Sequence, residues 1–405
     1  MEIITLLLLV TEYILIIYFG FAAIYILTFA IAGRFLSPKV NNYNQNVNLR
    51  KFAVLIPGYK EDNVICDVAL DALNQNYPKE LYDVVIIADS FQPETIEKLK
   101  LMPIILVEVV FEKSTKSKAL NKAMATIGDS YDVALVLDAD NMMANDFIEK
   151  INLAFENGFE VVQGHRVAKN TNNAFAILDA VSEELNNHIF RKGHRALGLS
   201  SALIGSGMAF TYSMFKERMQ NVNAIGGFDK ELELTLLRDK VKIEYLNDAL
   251  VYDEKVQKIE VFENQRKRWL SAQFIYFGRF FFSGLSHLLL KGNIDFFDKV
   301  YQMISPPRVL LIGITTIITF VAVATNYLFP SNFIYSMHGN LWLIVFLAVV
   351  VAFILSIPVQ FYNKNTFKAL LSLPKAFMSM FLSLFKLKGA NKKFIHTQHG
   401  TIENK

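Results

Sequence analysis

One short segment decides the fold: Val133-Ala134-Leu135-Val136-Leu137-Asp138-Ala139-Asp140. Its five consecutive apolar residues predict a buried strand, and two carboxylates follow where that strand ends. Ligands of open α/β sheets bind at the carboxyl ends of the strands, where a pair of acids can hold a hard divalent cation. A solvated turn is the alternative, because Asp is common in turns. The rest of the chain has to decide between the two.

Three further apolar runs precede this strand and alternate with stretches typical of helices. The predicted strands are residues 52–56, 84–88, 104–110 and 133–137, and the predicted helices are residues 64–74, 95–100, 117–126 and 145–155. Alternation at this spacing predicts an α/β domain with a mostly parallel sheet and helices on both of its faces.

The composition indicates a membrane protein. Of the 405 residues, 53% are hydrophobic, and the excess lies towards the two ends of the chain. A net charge of +3 gives no reason to expect nucleic acid as a partner. Cys66 is the only cysteine, which excludes an intrachain disulfide and a zinc cluster built from cysteines.

Three apolar stretches are long enough to span a bilayer, and they cover residues 3–32, 309–329 and 341–357. Basic residues follow the first and the third of these spans, whereas the loop 330–340 has neither Lys nor Arg. The positive-inside rule then places residues 34–300 and the C-terminus in the cytoplasm. Two aromatic stretches, residues 269–290 and 367–387, are predicted to lie in the membrane interface. For the first of them, a buried helix of the soluble domain is the alternative.

These features divide the chain into five predicted parts. They are an N-terminal anchor (1–33), a cytosolic α/β domain (50–268), interfacial helices (269–300), two transmembrane helices (308–361) and an interfacial helix with a cytosolic tail (366–405). Glu12, inside the first span, lies either near the interface or against other helices. The tail carries His396 and His399, for which packing under the soluble domain is favoured over metal binding.

Polar residues follow three of the predicted strands. The first strand ends in Pro57-Gly58-Tyr59-Lys60-Glu61, the second in Asp89-Ser90, and the fourth in Asp138-Ala139-Asp140. Parallel strands end at the same edge of a sheet, so these residues converge there, as a nucleotide site requires. Lys116 and Lys118 begin the helix after the third strand, a position that favours phosphate, with a solvated basic face as the alternative.

Two further motifs follow, Gly205-Ser206-Gly207 and Gln265-Arg266-Lys267-Arg268-Trp269. Together with the strand ends and the helix start Lys116-Ser117-Lys118-Ala119-Leu120-Asn121, they resemble in order the membrane-bound family 2 glycosyltransferases. That family includes the cellulose, hyaluronan, chitin and poly-N-acetylglucosamine synthases. The resemblance covers residues 52–275, and its most specific element is Gln-x-x-Arg-Trp after an Asp-x-Asp strand. It implies a GT-A fold, in which a Rossmann-like sheet holds a nucleotide-sugar through Mg²⁺ or Mn²⁺.

The resemblance also implies a role for each motif. On the donor side, the nucleobase and ribose would be bound by Tyr59, Glu61 and Asp89. Lys116 would be the family's motif lysine. Asp138 would be the acid near ribose and phosphate, and Asp140 would be the metal ligand. On the acceptor side, the loop is Gly205, Ser206 and Gly207, and the segment that closes over the diphosphate and the acceptor contains Gln265, Arg268 and Trp269. Asp253-Glu254-Lys255 is predicted to be a solvated loop, with a place near the site as the alternative.

The catalytic base is harder to assign. An inverting transfer needs a carboxylate that removes the proton of the acceptor hydroxyl. The family supplies it from a Thr-Glu-Asp motif, and this chain has Gly226-Gly227-Phe228-Asp229-Lys230-Glu231-Leu232-Glu233-Leu234 at that place. Aligning the leucines makes Glu231 the expected base, with Asp229 and Glu233 as alternatives. A helix start with Asp229 as its cap would explain the same residues without catalysis.

The sequence therefore predicts an inverting, membrane-bound glycosyltransferase of the inner or plasma membrane, with its catalytic domain in the cytosol. It would transfer a sugar from a UDP-sugar to a growing polysaccharide or another glycan acceptor. A single transfer to a polyprenyl phosphate or glycolipid is the first alternative, and a non-catalytic nucleotide-binding membrane scaffold is the second. Three spans are few for a polymer channel, so secretion would need a partner protein or a homo-oligomer, or would not occur.

Overall fold

Strands and helices alternate through the first third of the chain. A computed structural model describes residues 2–36, 48–222, 227–255, 257, 259–328 and 337–385. Its first elements are α1 (Glu2–Phe35), β1 (Phe52–Tyr59), α2 (Ile65–Ala72), β2 (Tyr82–Asp89), α3 (Pro93–Lys100), β3 (Ile105–Val109), α4 (Lys116–Ile127) and β4 (Val133–Val136). The strands and helices predicted here are confirmed, with ends that shift by a few residues.

The second part of the domain returns to the same sheet. Its elements are β5 (Met142–Met143), α5 (Phe147–Glu156), β6 (Val161–Ala168), α6 (Ala174–Asn186), α7 (His194–Ala196), β7 (Met208–Thr211), α8 (Tyr212–Gln220), α9 (Phe228–Arg238) and β8 (Ile243–Asp253). A π-helical segment, Asn187–Gly193, joins α6 to α7.

The sheet has eight strands in the order β3-β2-β1-β4-β7-β6-β8-β5. Strands β1 to β4 pair in parallel, and so do β6 and β8. Strand β7 lies antiparallel between β4 and β6, and β5 is antiparallel to β8. The predicted mostly parallel α/β sheet is confirmed. The carboxyl ends of β1, β2 and β4 meet at one edge, where the polar motifs were expected.

The central strands are buried on both faces, which explains their continuous apolar runs. Along β1, Ala53 and Leu55 enter one core, whereas Phe52, Val54 and Ile56 enter the other. The first core is closed by α4, α8 and α9, and the second by α2 and α5. The helices therefore cover both faces of the sheet and leave its edges for function.

The C-terminal third is helical. It consists of α10 (Ile259–Lys291), α11 (Ile294–Ile304), α12 (Arg308–Leu328), α13 (Gly339–Ser356), α14 (Lys364–Leu370) and α15 (Leu373–Leu384). Among the described residues, three helices are long and apolar enough to cross a membrane, namely α1, α12 and α13. The pair α14 and α15, bent by 42°, would add a fourth span if it crosses as one unit. The predicted motif with His396 and His399 lies outside the described residues.

Glu12 of α1 faces other helices, which was one of its two predicted positions. Its carboxylate accepts hydrogen bonds from the backbone N–H of His338 at 2.8 Å and from Trp342 Nε1 at 3.0 Å. His338 is the residue that precedes α13, so the carboxylate satisfies an amide at the start of that helix. The first and third predicted spans are therefore joined by polar contacts as well as apolar packing.

Helix α10 runs without a break through residues 268 and 269, the predicted boundary between the α/β domain and the interfacial helices. One face of its second half is buried in the domain core, where Tyr276 and Phe280 pack with Phe296 of α11. On the other face, Phe282 and Leu289 are 78% and 72% exposed. The predicted interfacial helix thus describes the exposed face of α10. The alternative, a buried helix of the soluble domain, describes its buried face.

The π-helical segment is where α1 meets the α/β domain. His188 Nε2 donates a hydrogen bond to the carbonyl oxygen of Ala30 at 3.0 Å. Gly193 lies directly against the carbonyl oxygen of Phe29, so a Cβ at this position would collide with backbone. A rigid backbone neighbour cannot move aside as a flexible side chain can, and glycine is required for this close approach.

We predict that Gly193→Ala separates α1 from the domain and destabilises the protein by about 1–3 kcal/mol, the usual cost of overpacking. The melting temperature of the purified protein in detergent measures this effect. Gly278→Ala is the matched control, because a Cβ added to that helical glycine would meet no atom within 4 Å. It should leave the melting temperature unchanged or raise it. Equal melting temperatures for the two variants would contradict the close contact.

Candidate active site

Three carboxylates meet at the edge of the sheet. Asp138 and Asp140 follow β4, and Asp253 is the last residue of β8. One ligand oxygen from each lies within 4.8 Å of the others. Asp140 and Asp253 are buried, whereas the side chain of Asp138 is partly exposed. Three hard oxygen donors this close suit Mg²⁺ or Mn²⁺.

Asn141 holds this carboxylate trio in place. Its Nδ2 donates hydrogen bonds to Asp140 Oδ1 and to Asp253 Oδ1, both at 3.1 Å. Its Oδ1 accepts a hydrogen bond from the hydroxyl of Ser206. The same hydroxyl accepts the backbone N–H of Asp138 at 2.9 Å. One amide and one hydroxyl thus connect the strand ends of β4 and β8.

The loop Gly205-Ser206-Gly207 therefore supports the carboxylates, a contact that the sequence did not predict. Gly205 and Gly207 have φ values of +85° and +63°, which favour glycine. Gln163 of β6 holds the loop, because its Nε2 donates a hydrogen bond to the carbonyl oxygen of Ser206 at 3.0 Å. Lys116 also holds the loop, because its Nζ donates a hydrogen bond to the carbonyl oxygen of Gly205 at 2.6 Å.

Lys116 also joins the loop to the trio. It is the first residue of α4, and its Nζ lies 2.5 Å from Asp138 Oδ1. Thr115 caps the helix, with its side chain accepting the backbone N–H of Lys118 at 3.3 Å. The predicted phosphate-binding lysine and the predicted ribose-side acid are thus brought together at a helix N-terminus, where anions are favoured.

Buried charged residues surround the trio, and no motif in the sequence pointed to Arg166 or Glu183 among them. Arg166 of β6 lies 3.6 Å from Asp253, 4.0 Å from Asp138 and 2.8 Å from Glu183 of α6. Lys255 lies 2.7 Å from Asp253. Burial favours the neutral acid, but Arg166 and Lys255 outweigh it and hold the pKa of Asp253 below its usual value. The prediction of a solvated loop at residues 253–255 is wrong, and the alternative near the site is found.

The nucleoside-side residues lie at the ends of β1 and β2. Tyr59 and Asp89 are paired in register, and the backbone N–H of Lys60 donates to the carbonyl oxygen of Asp89 at 3.1 Å. Glu61 and Asp89 are buried. Lys60 and Ser90 both have positive φ, which is costly for residues other than glycine and clusters at functional sites. The structure thus brings these predicted residues together, and their contact with a nucleoside stays a prediction.

The motif Gln265, Arg268 and Trp269 occupies the first turns of α10. Arg266, within it, pairs with Asp179 of α6 at 2.5 Å and stacks over the Trp269 ring at 4.6 Å. Trp269 is 43% exposed, so its other face is open to a ligand or to lipid. Burial lowers the pKa of Arg268 from its ordinary value. The part that this motif plays over a diphosphate stays a prediction.

Glu231 points away from the other two candidate bases of α9. Residues i and i+4 share a helix face, whereas i and i+2 are about 200° apart. Asp229 is next to the glycine loop, where a Cβ on Gly205 would lie 3.9 Å from its Oδ2. Glu231 faces α10, with Oε1 3.1 Å from Arg279 and Oε2 3.4 Å from Tyr276 Oη. Glu233 is fully buried and ion-paired to Lys299 at 2.7 Å.

Comparison with known proteins identifies the family. Residues 50–272 match the sequence model described as "Glycosyltransferase like family 2". The chain belongs to this family. The family predicted from the motifs is thereby confirmed.

Three curated proteins are similar in sequence to this chain. Two are described as "Beta-monoglucosyldiacylglycerol synthase", from Trichormus variabilis and a Nostoc species. The Trichormus protein is 26% identical over 58% of this chain and 51% of its own length. The Nostoc protein is 27% identical over 54% of this chain and 47% of its own length. The match thus spans about half the length of these two relatives. A Bacillus subtilis protein, "Probable glycosyltransferase YdaM", is 22% identical over 76% of this chain and 72% of its own.

A solved structure shares the fold. The mannosyltransferase PcManGT from Pyrobaculum calidifontis, in complex with GDP-Man and Mn²⁺, superposes with a TM-score of 0.50. The two chains are 13% identical, and the match covers 83% of this chain and 94% of that one. At this identity the likeness shows the fold alone. The predicted GT-A fold is confirmed.

We predict that Asp140→Asn and Asp253→Asn each weaken Mn²⁺ binding in the presence of UDP by at least tenfold, because each removes an anionic ligand. Titration of free Mn²⁺ by electron paramagnetic resonance measures the affinity. Asp146→Asn is the control, since that acid is outside the trio and pairs with Lys150. Wild-type affinity in Asp253→Asn would remove Asp253 from the ligand set.

Proposed function

We propose that this chain is an inverting glycosyltransferase that transfers a sugar from a UDP-sugar to a membrane lipid or glycolipid. The observation that carries the proposal is the position of Lys116. Its ammonium contacts Asp138 of the trio and the carbonyl oxygen of Gly205, and Asp229 lies on the other side of that glycine. A site for the donor phosphates and a carboxylate for the acceptor are therefore next to each other.

The donor phosphates would be bound by positive charge at the sheet edge. Asp138, Asp140 and Asp253 would hold Mg²⁺ or Mn²⁺, which when bound offsets the negative charge of the departing diphosphate. Lys116 adds a second cation at the N-terminus of α4. Arg268 supplies a planar donor that suits phosphate oxygens. The buried ends of β1 and β2 would receive the nucleoside.

Asp229 is our choice for the base, in place of the Glu231 expected from the leucine alignment. Its side chain is partly buried, and the desolvation of the carboxylate raises its pKa from the ordinary value. Lys230 opposes that rise and Glu233 adds to it. A carboxylate with increased proton affinity is better matched to a hydroxyl proton near neutral pH.

Glu231 has a different task in this proposal. Its contacts with Arg279 and Tyr276 attach α9 to α10, and its side chain is 10% exposed. Its carboxylate is engaged by these two side chains and does not face the glycine loop. We therefore assign Glu231 to holding the two helices together.

We predict that Asp229→Asn lowers kcat by at least a hundredfold, the usual contribution of a general base. Glu231→Gln should keep kcat within a few-fold of wild type and lower the melting temperature. Initial rates of UDP release across pH check both. Activity should fall with decreasing pH as Asp229 becomes protonated, at a higher pH than for an ordinary Asp. The assignment is wrong if the two variants exchange these phenotypes.

The membrane helices favour a lipid acceptor over a polymer. Within the described residues, α1 and α12 both pack on α13, and apolar side chains such as Ala22, Trp342 and Val349 fill the contacts. Among the described residues of these three helices, apolar packing fills the contacts, and this favours a lipid acceptor over a polysaccharide that needs a hydrophilic path. Helix α10, which carries the Gln-x-x-Arg-Trp motif in its N-terminal half, exposes Phe274 and Phe282 along its length. A lipid-linked hydroxyl could reach the site along that surface.

The names of two relatives, which include a glucosyldiacylglycerol product, agree with this choice. We place the catalytic domain on the cytosolic side of the inner or plasma membrane, as the distribution of Lys and Arg predicts. A single transfer to a lipid needs neither a secretion partner nor a homo-oligomer. Elongation of a polysaccharide is the second candidate function, supported by the Gln-x-x-Arg-Trp motif.

We predict that incubation with radiolabelled UDP-sugars and phospholipid vesicles containing diacylglycerol yields a product that carries one sugar and partitions into organic solvent. Thin-layer chromatography and mass spectrometry identify it, with Asp140→Asn as the negative control. Labelled material that stays insoluble in ethanol and in organic solvent would instead support polymer synthesis. Binding of UDP without turnover of any donor would support the non-catalytic scaffold.

A further inference from the structure

Lys255 is a buried ammonium group beside the carboxylate trio. Its side chain is 1% exposed, and its Nζ lies 2.7 Å from Asp253 Oδ2 and 3.6 Å from Glu183. Lysine is almost never fully buried unless it is paired, because removing the ammonium from water is costly. A lysine in this position therefore requires an explanation, and the proposed sugar transfer does not use it.

The fold holds this lysine firmly. Asn170, which follows β6, accepts the backbone N–H of Lys255 at 2.6 Å and donates from Nδ2 to the Lys255 carbonyl oxygen at 3.3 Å. Both backbone groups of the residue are thus fixed by one side chain from a neighbouring segment. The backbone from which the ammonium reaches Asp253 is therefore held in place by the fold.

A second cation approaches Asp253 from β6. Arg166 lies 3.6 Å from Asp253 Oδ1, and Glu183 holds its guanidinium at 2.8 Å. Asp253 Oδ1 also accepts from Asn141, and Oδ2 accepts from Lys255. Both oxygens of this carboxylate are therefore engaged by groups of the protein itself. A metal ion that uses Asp253 has to share it with a fixed cation.

Cations offset much of the negative charge of the trio. Lys116 contacts Asp138, and Arg166 and Lys255 both contact Asp253. Interactions between charges a few ångströms apart are strong where water is excluded, and salt screens them little. A metal ion alone would thus meet carboxylates that cations already partly neutralise, whereas a diphosphate would add negative charge to the site.

We propose that Lys255, with Arg166, keeps the affinity of the site for a divalent cation low until a nucleoside diphosphate is present. This inference rests on the proposed function. The metal then enters with the nucleotide-sugar and leaves with the nucleoside diphosphate product. Lys255 touches neither the reacting atoms nor the substrate, and it acts on the metal through Asp253, as a positioning residue.

Mn²⁺ binding to the full-length protein in detergent tests this, with free Mn²⁺ measured by electron paramagnetic resonance, with and without UDP. Lys255→Gln removes the charge and keeps a hydrogen-bond donor for Asp253. We expect its affinity for Mn²⁺ alone to rise at least tenfold above that of wild type, and its affinity with UDP to change much less. Lys216→Met, at an exposed pair with Asp129, is the control and should match wild type.

A merely structural role for Lys255 predicts the opposite sign, because damage to a metal site lowers affinity. The double variant Glu183→Gln/Lys255→Gln removes one charge of each sign and should return the affinity for Mn²⁺ alone towards wild type. A Lys255→Gln protein that melts cooperatively and binds Mn²⁺ alone no better than wild type overturns the inference. Tight binding of Mn²⁺ by wild type without UDP does so too. If no protein binds Mn²⁺ even with UDP, the metal site of the proposed function itself fails.

Discussion

The hydrogen bonds of Asn141 are the contact on which the site depends. Its amide joins Asp140, which follows β4, to Asp253, which ends β8, across 112 residues of sequence. Strands β4 and β8 are not neighbours in the sheet, because β7 and β6 lie between them. Without this bridge the two acids would belong to separate strand ends. With it, and with Ser206 beneath, the carboxylates form one ligand set before any metal arrives.

The helices outside the α/β domain do more than anchor it, because they also pack directly against it. Helix α10 carries the Gln-x-x-Arg-Trp motif in its N-terminal half, is buried in the domain core by Tyr276 and Phe280, and exposes apolar side chains on its other face. Close contact between Gly193 and α1 fixes the domain against the first candidate span. Direct contacts between helices thus hold the α/β domain against the apolar helices, an arrangement that suits the proposed lipid acceptor.

The features that could be predicted were those encoded by short, continuous stretches of sequence. Apolar runs and their spacing identified β1 to β4, the intervening helices and the three spans, and strand ends located Asp138 and Asp140. Arg166 was missed, and a solvated loop was preferred for Asp253 and Lys255, because the contacts that bring these residues to the site join separate segments of the chain. Our proposed base differs from the expected Glu231 for a different reason. Alignment of leucines fixes a register, but only the helix shows that Asp229 faces the glycine loop while Glu231 faces α10.

Glu12 has a consequence for how the protein is made. Its carboxylate is satisfied by His338 and Trp342, which are more than 320 residues later in the chain. An acid inside a span is costly in lipid until it finds a polar partner. During synthesis, α1 therefore reaches the bilayer with an unsatisfied carboxylate, and the whole catalytic domain emerges before α13 can supply those donors. Correct assembly of the membrane region is completed last, and it joins the two ends of the chain around a domain that is already made.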